Sequence, residues 1–141
     1  MAHLSYFELA LTEYITNHHP EKITDKDFIK ARAEYAENTF QQVSHEGETV
    51  EEAWVKANRV LYQGLVFSLY DEISDIIDEY FPEVEKNERH LFIMQMMELN
   101  ENVSKKYPLE DDSFGGSYEY QQLHNELIGN ILIYIEKNGL Q

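Results

Sequence analysis

Apolar residues recur at helical spacing along most of the chain, most clearly between Ser117 and Leu140. The apolar positions there are Leu123, Leu127, Ile128, Ile131, Leu132, Tyr134 and Ile135. This period of three to four residues is typical of a helix, and a strand does not reproduce it over this length. Ser117 suits the N-cap, and Gly139 suits a left-handed stop. The pattern predicts a helix over 118–138, and its wide apolar face places it at the centre of the fold.

Start signals mark four helices nearer the N-terminus. Two capping boxes, Ser5–Glu8 and Thr49–Glu52, are expected to begin the first and third helices. Thr24 is expected to open the second helix and Ser68 the fourth. Each signal is followed by apolar residues at helical spacing, which favours amphipathic helices over strands.

Stop signals complete the predicted order of elements. Pro20 and Pro82 end the first and fourth helices, because the residue before a proline is pushed out of helical conformation. A fifth helix is expected from about Arg89 to Lys105, followed by an irregular segment over 107–116. The predicted fold is therefore all-α: a single multihelical domain, residues 1–141, of about six helices packed around the C-terminal helix.

Composition narrows the setting in which the protein works. The 141 residues are 43% apolar and include no cysteine, which favours a folded domain in a reducing compartment. No apolar run approaches the roughly 20 residues of a membrane helix. The sequence also lacks the basic region followed by an apolar region that is typical of a signal peptide. We expect a cytoplasmic protein without a signal peptide or a membrane partner.

Net charge is the one extreme property of the sequence. The chain carries −16, of which residues 1–70 contribute −5 and residues 71–141 contribute −11. Direct nucleic-acid binding requires a basic surface, so it is not expected. A basic protein partner is easier to accommodate, and so is a surface whose charge serves only solubility.

No catalytic, cofactor-binding or metal-binding residues are predicted, and the chain is not expected to be an enzyme. It contains no phosphate-binding glycine loop, no H-E-x-x-H motif and no G-x-S-x-G motif. Adjacent His18 and His19 point about 100° apart on a helix, which does not suit a shared metal. His124 is interpreted as a core histidine with a satisfied hydrogen bond, and the five acids over 71–79 as a solvated helix face.

One loop is the candidate interaction site. Acidic residues in the irregular segment are followed by an aromatic residue and then by two tyrosines at the start of the last helix. The candidate residues are Asp111, Asp112, Phe114, Tyr118 and Tyr120. Loops carry functional residues more often than regular elements do. The alternative is an acidic connector that a buried Phe114 holds in place.

Two stretches of sequence resemble a bacterial family of short helical proteins that is known only as a domain of unknown function. The first reads G-L-x-F-S-x-Y-D over residues 64–71. The second reads D-D-x-F from Asp111, continues through Y-E-Y at 118–120 and E-L-x-G at 126–129, and ends at Gly139 and Leu140. The resemblance implies a helical fold and an association with conjugative transposons. It implies no activity and no catalytic residues.

Two functional hypotheses follow. The first is a protein-interaction module that binds a protein partner or forms a homodimer, because tyrosine and methionine are enriched at interfaces. The alternative is an acidic DNA mimic that occupies a host nucleic-acid-binding protein. One helix cannot match the charge density of duplex DNA, so a mimic needs several aligned acidic faces.

Overall fold

The computed structural model describes residues 3–139, and all regular structure in that range is helical. The α-helices are α1 (Leu4–His18), α2 (Lys26–His45), α3 (Val50–Leu61), α4 (Leu69–Tyr80), α5 (Arg89–Leu99), α6 (Glu101–Ser104) and α7 (Tyr118–Asn138). Three single-turn 3-10 helices lie between them. The predicted all-α class is confirmed. Between residues 3 and 139, none of the helices is both long and apolar enough for a bilayer crossing.

The helices divide into two compact units, of which the first ends at Val66 and the second begins at Phe67. Each unit has its own cluster of buried apolar side chains. The C-terminal helix contributes to the second cluster, whereas α1, α2 and α3 supply the first. The single domain expected over residues 1–141 stays a prediction.

Close helix packing organises the first unit. Ala33 and Ala36 of α2 and Ala53 and Ala57 of α3 are all fully buried. Side chains this small let two helix backbones approach closely. Trp54 packs against the cluster at the ring of Phe40, with the ring centroids 4.9 Å apart. Its place among the apolar positions of α3 accounts for this contact.

The first helix does not begin at the expected capping box. Its N-cap is His3, which forms no side-chain capping bond, and Ser5 is already inside the helix. The imidazole of His3 instead contacts the rings of Phe40 and Trp54, at centroid distances of 4.5 and 5.1 Å. The Ser5–Glu8 prediction is wrong because aromatic packing, rather than a local capping bond, positions this end.

Two neighbouring caps differ in how well they match the sequence. The N-cap of α2 is Asp25, one residue after the predicted Thr24, and its Oδ1 accepts from the Phe28 amide at 3.1 Å. The N-cap of α3 is Thr49 as predicted, and its hydroxyl accepts from the Glu52 amide at 3.1 Å. Both caps satisfy amide groups that the first helical turn leaves without backbone partners.

The second unit is built on the contact of α4 with α7. Three α7 residues, Leu123, Leu127 and Ile131, are fully buried, as are Ile73 and Ile76 of α4. All five belong to one apolar cluster. The predicted bounds of α7 are confirmed. The Ser117 hydroxyl accepts from the Tyr120 amide at 3.1 Å, and Gly139 ends the helix with φ of 72°.

The predicted fifth helix is interrupted. It ends at Leu99, and the short α6 resumes at Glu101. Asn100 lies between them, 1% exposed, and its side-chain amide donates to the Met96 carbonyl at 2.8 Å. A side chain that bonds its own backbone in this way competes with regular helix geometry. The prediction of one continuous helix is therefore wrong at a buried asparagine, although helical structure resumes and ends at Ser104, next to the predicted end.

Replacement of Ile131 by alanine tests the burial of α7 in the core of the second unit. The side chain is fully buried, so Ile131→Ala should lower the free energy of unfolding by about 2–5 kcal/mol. Leu91→Ala is the control, because Leu91 is 74% exposed, and its effect should stay within about 0.5 kcal/mol. Chemical denaturation measures both, and equal stability of the two variants would contradict this placement of α7.

Candidate functional site

A polar cluster lies inside the second unit, where α4 faces α7. Glu72 of α4 is only 7% exposed. Its Oε1 accepts a hydrogen bond from the Tyr120 hydroxyl at 2.9 Å, and its Oε2 pairs with Nδ1 of His124. Tyr120 and His124 are four residues apart on α7, so both side chains reach the same side of the helix. Together they supply a partner to each oxygen of this buried carboxylate.

The structure contradicts the sequence prediction for Glu72 and agrees with the prediction for His124. The sequence assigned Glu72 to the solvated face of α4, but the structure buries it. The signal was present in the chain, because Glu72 lies four residues before Ile76 and next to Ile73, on the apolar side of the helix. His124 was expected to be a satisfied core histidine, and its pairing with Glu72 matches that interpretation.

The cluster shifts the ionisation of its neighbours. Burial, the hydrogen bond to Glu72 and the negative charges of Glu72 and Asp75 together raise the pKa of Tyr120 to about 12. The pKa of Asp75 is also raised, first by burial and then by the charges of Glu72, Asp71 and Asp78. Negative charge is therefore concentrated around α4.

A carboxylate that orients a histidine is an arrangement found in general-base catalysis. Here the same contacts have a structural reason, because a buried carboxylate needs hydrogen-bond donors in any case. In the described part of the chain, no three histidine, aspartate or glutamate side chains are grouped so that they could hold a metal ion. The cluster is interpreted as part of the packing of α4 on α7.

The predicted interaction loop is only partly presented to solvent. Phe114 is 2% exposed, and its ring contacts the rings of Phe67 and Tyr120 at centroid distances of 5.0 and 6.2 Å. Asp111 is exposed, and its Oδ1 accepts from the amide and the hydroxyl of Ser113 at 2.9 and 2.7 Å. These two bonds lower the pKa of Asp111. The burial of Phe114 agrees with the alternative of an acidic connector held in place by this residue, and an interaction role of the loop stays a prediction.

The remaining loop candidates point in different directions. Asp112 is exposed, and Tyr118 is 79% exposed. Tyr120 instead turns inward, where its hydroxyl meets Glu72. The structure therefore brings Phe114 and Tyr120 together in the core and leaves Asp111, Asp112 and Tyr118 at the surface.

A groove that the sequence did not suggest lies beside the second half of α7. Its volume is about 480 Å³, and its walls include Leu99 and Ile133, which are 52% and 51% exposed. Asn130 also lines it and donates to the buried Asn100 side chain at 2.9 Å. Volumes of a few hundred Å³ are common for binding sites. The groove combines exposed apolar side chains with hydrogen-bonded amides, and Lys137 is the charged residue in its lining.

The side of α7 that faces away from the core forms a continuous surface next to this groove. We call it the α7 outer face, and it consists of Gln122, Asn125, Gly129, Leu132, Ile133 and Glu136. Leu132 is 44% exposed. A Cβ added at Gly129 would meet no atom within 4 Å. Apart from the backbone of α7 itself, no described atom therefore packs closely against Gly129.

Charge is nearly absent from the middle of the α7 outer face. Between Glu119 and Glu136 the helix carries one acid, Glu126. The Glu126 carboxylate accepts from the Lys106 ammonium at 3.0 Å and from the Tyr107 hydroxyl. These bonds, the tyrosine first, lower the pKa of Glu126. Glu126 is thus already paired within the second unit.

The first unit has a groove of its own. Its volume is about 390 Å³, and Tyr6, Leu9, Tyr14 and Tyr62 are among its lining residues. The Tyr14 hydroxyl donates to the Leu65 carbonyl at 2.9 Å, which holds this side chain in the fold. Leu9 is 69% exposed. This groove presents aromatic surface. The helix α1 beside it contains no glycine at which another helix could approach closely.

Comparison with known proteins identifies the family. The model of the family described as "Domain of unknown function (DUF1896)" matches residues 1–140. The chain belongs to the DUF1896 family. The family membership agrees with the resemblance seen in the sequence motifs. Leu140, the last residue of the second motif, lies outside the described residues.

A crystal structure of protein PG0816 from Porphyromonas gingivalis is similar to this DUF1896 chain. The two share 34% sequence identity and superpose with a TM-score of 0.92, over 99% of this chain and 95% of that chain. No curated protein matches the chain. The similarity supports the helical fold, and neither name states an activity or a partner.

The raised pKa of Tyr120 leads to a prediction at alkaline pH. In the native DUF1896 chain the neutral phenol is favoured up to about pH 12, whereas an unfolded tyrosine ionises near pH 10. The stability that this shift contributes is therefore complete below about pH 10 and is lost as the pH rises to about 12. Tyr120→Phe should cost about 1–3 kcal/mol at neutral pH, and the difference from wild type should shrink across that window.

Denaturation at a series of pH values measures this effect. Tyr118→Phe is the matched control, because the Tyr118 side chain is 79% exposed, and it should leave the pH dependence unchanged. A difference between wild type and Tyr120→Phe that stays constant from pH 8 to pH 12 would contradict the described contact with Glu72.

Proposed function

We propose that this protein is a non-enzymatic interaction module that binds another protein through the α7 outer face and the adjoining groove. The observation that carries the proposal is the joint exposure of Leu99, Leu132 and Ile133. Single exposed apolar residues are ordinary on protein surfaces, but contiguous ones mark binding sites. Leu99 and Ile133 line the same groove, and Leu132 is next to Ile133 on α7.

Charge distribution supports this surface over the rest of the second unit. The core of a protein interface is poor in charged residues, and the α7 outer face carries no charge from Gln122 to Ile133. Elsewhere the unit is strongly acidic. The α7 outer face is therefore the part of the unit where a partner can bury apolar surface with the least desolvation of carboxylates.

We also propose that the module is an accessory protein of a conjugative transposon or a related mobile element, and that it acts in the cytoplasm. The motif resemblance supports the first part. The sequence contains no cysteine, which suits a reducing compartment.

Site-specific photo-cross-linking in the native host tests the interaction. A photoreactive residue at position 133 should give a protein adduct, because Ile133 lies in the proposed interface. The same residue at position 91 is the control, because Leu91 is 74% exposed and does not line the groove. Adducts of equal yield at both positions, or none at position 133, would refute the proposal.

The concentration of negative charge at α4 favours a second proposal, an acidic DNA mimic. Burial and then the charges of Glu72, Asp71 and Asp78 raise the pKa of Asp75. Asp75 and Glu79 are exposed one helical turn apart. On this proposal the protein should displace duplex DNA from a basic nucleoid protein of the host. The double variant Asp75→Asn, Glu79→Gln should displace it less well, while Glu110→Gln in the loop should behave as wild type. Unchanged DNA occupancy in a fluorescence anisotropy titration would exclude mimicry.

A further inference from the structure

We infer that the partner at the α7 outer face is a second copy of this chain. This inference rests on the proposed function, because it uses the same surface and adds the identity of the partner. Three observations support it: the distribution of charge, the shape of the surface and the open space beside Gly129.

Charge sets the first condition. Two copies of a chain with net charge −16 repel each other over most orientations, and like charges brought into contact at an interface are costly. Self-association therefore requires a face that brings few carboxylates together. From Gln122 to Ile133 the α7 outer face has none, and Glu126 at its side is paired with Lys106 and Tyr107.

Shape sets the second condition. In a symmetric dimer one surface contacts itself, so it must carry both a protruding side chain and a recess that accepts it. Leu132 supplies an apolar side chain that is 44% exposed. The groove next to Ile133 is a recess of about 480 Å³ whose wall includes Leu99. The leucine of each copy can therefore enter the groove of the other.

Gly129 supplies the third observation. A glycine inside a helix is unfavourable relative to alanine, and apart from its own helix backbone no described atom lies within 4 Å of the place that a Cβ would occupy. Packing within the chain does not account for it. Leu132 and Ile133 follow it by three and four residues, one turn further along the same face. A second α7 crossing at Gly129 would approach closely, with these two side chains beside the crossing.

Sedimentation equilibrium of the purified protein tests the inference. Wild type should show a concentration-dependent dimer. Ile133→Glu and Gly129→Ala should each raise the dissociation constant by about tenfold or more, because each disrupts the centre of the contact. Leu91→Glu is the control for an exposed leucine replaced by an acid and should leave the constant unchanged.

Thermal denaturation separates the interface from the intrinsic stability of the helix. In the monomeric Ile133→Glu background, adding Gly129→Ala should raise the midpoint by a few degrees, because alanine favours the helix and has open space. If Gly129→Ala stabilises the monomer and also weakens the dimer, a loss of monomer stability does not explain the weaker dimer, and the substitution acts on the contact between the two copies.

The outcomes distinguish the two proposals. A dimer that persists unchanged in Ile133→Glu and Gly129→Ala would overturn the assignment of this surface. A monomer at all concentrations would overturn the second copy as the partner. In that case, cross-linking from position 133 to a different protein would leave the proposed function standing, and no cross-linking at all would remove both.

Discussion

A carboxylate buried in a helical core is the constraint on which the second unit depends. Glu72 lies on the apolar side of α4, and an uncompensated charge there would cost several kcal/mol. Both compensating groups, Tyr120 and His124, come from α7. The pair of contacts favours one rotation of α7 about its axis, because a turned helix would leave the carboxylate without donors. Hydrophobic burial of Leu127 and Ile131 supports the same rotation.

This rotation determines what α7 presents to solvent. Residues two positions apart on a helix point about 200° away from each other, so Gly129 lies opposite both Leu127 and Ile131. With those two side chains in the core, Gly129 and the neighbouring Leu132 and Ile133 have to face outward. The exposed apolar surface is thus a geometric consequence of how α4 and α7 pair.

Local signals in the sequence predicted the helices, while contacts distant in sequence decided where the predictions failed. Ser117 and Gly139 act on the residues beside them, so the bounds of α7 could be predicted in full. The start of α1 could not, because His3 packs against rings that lie about 40 and 50 residues away in the sequence. Asn100 interrupts the fifth helix in part through its contact with Asn130, 30 residues later. The burial of Glu72 likewise depends on donors from a helix that follows about 50 residues further on.

The candidate surface was the hardest part to predict, since it depends on where charge is absent. The composition shows a strongly acidic chain, and the acidic loop at 110–112 therefore attracts attention first. Such charge keeps a protein soluble wherever it is placed on the surface. A protein interface has the opposite requirement, because each carboxylate that it buries must lose its water. In a chain this acidic, an uncharged and partly apolar helix face is therefore more informative than another group of acids. That face becomes visible only when the buried side of α7 is known.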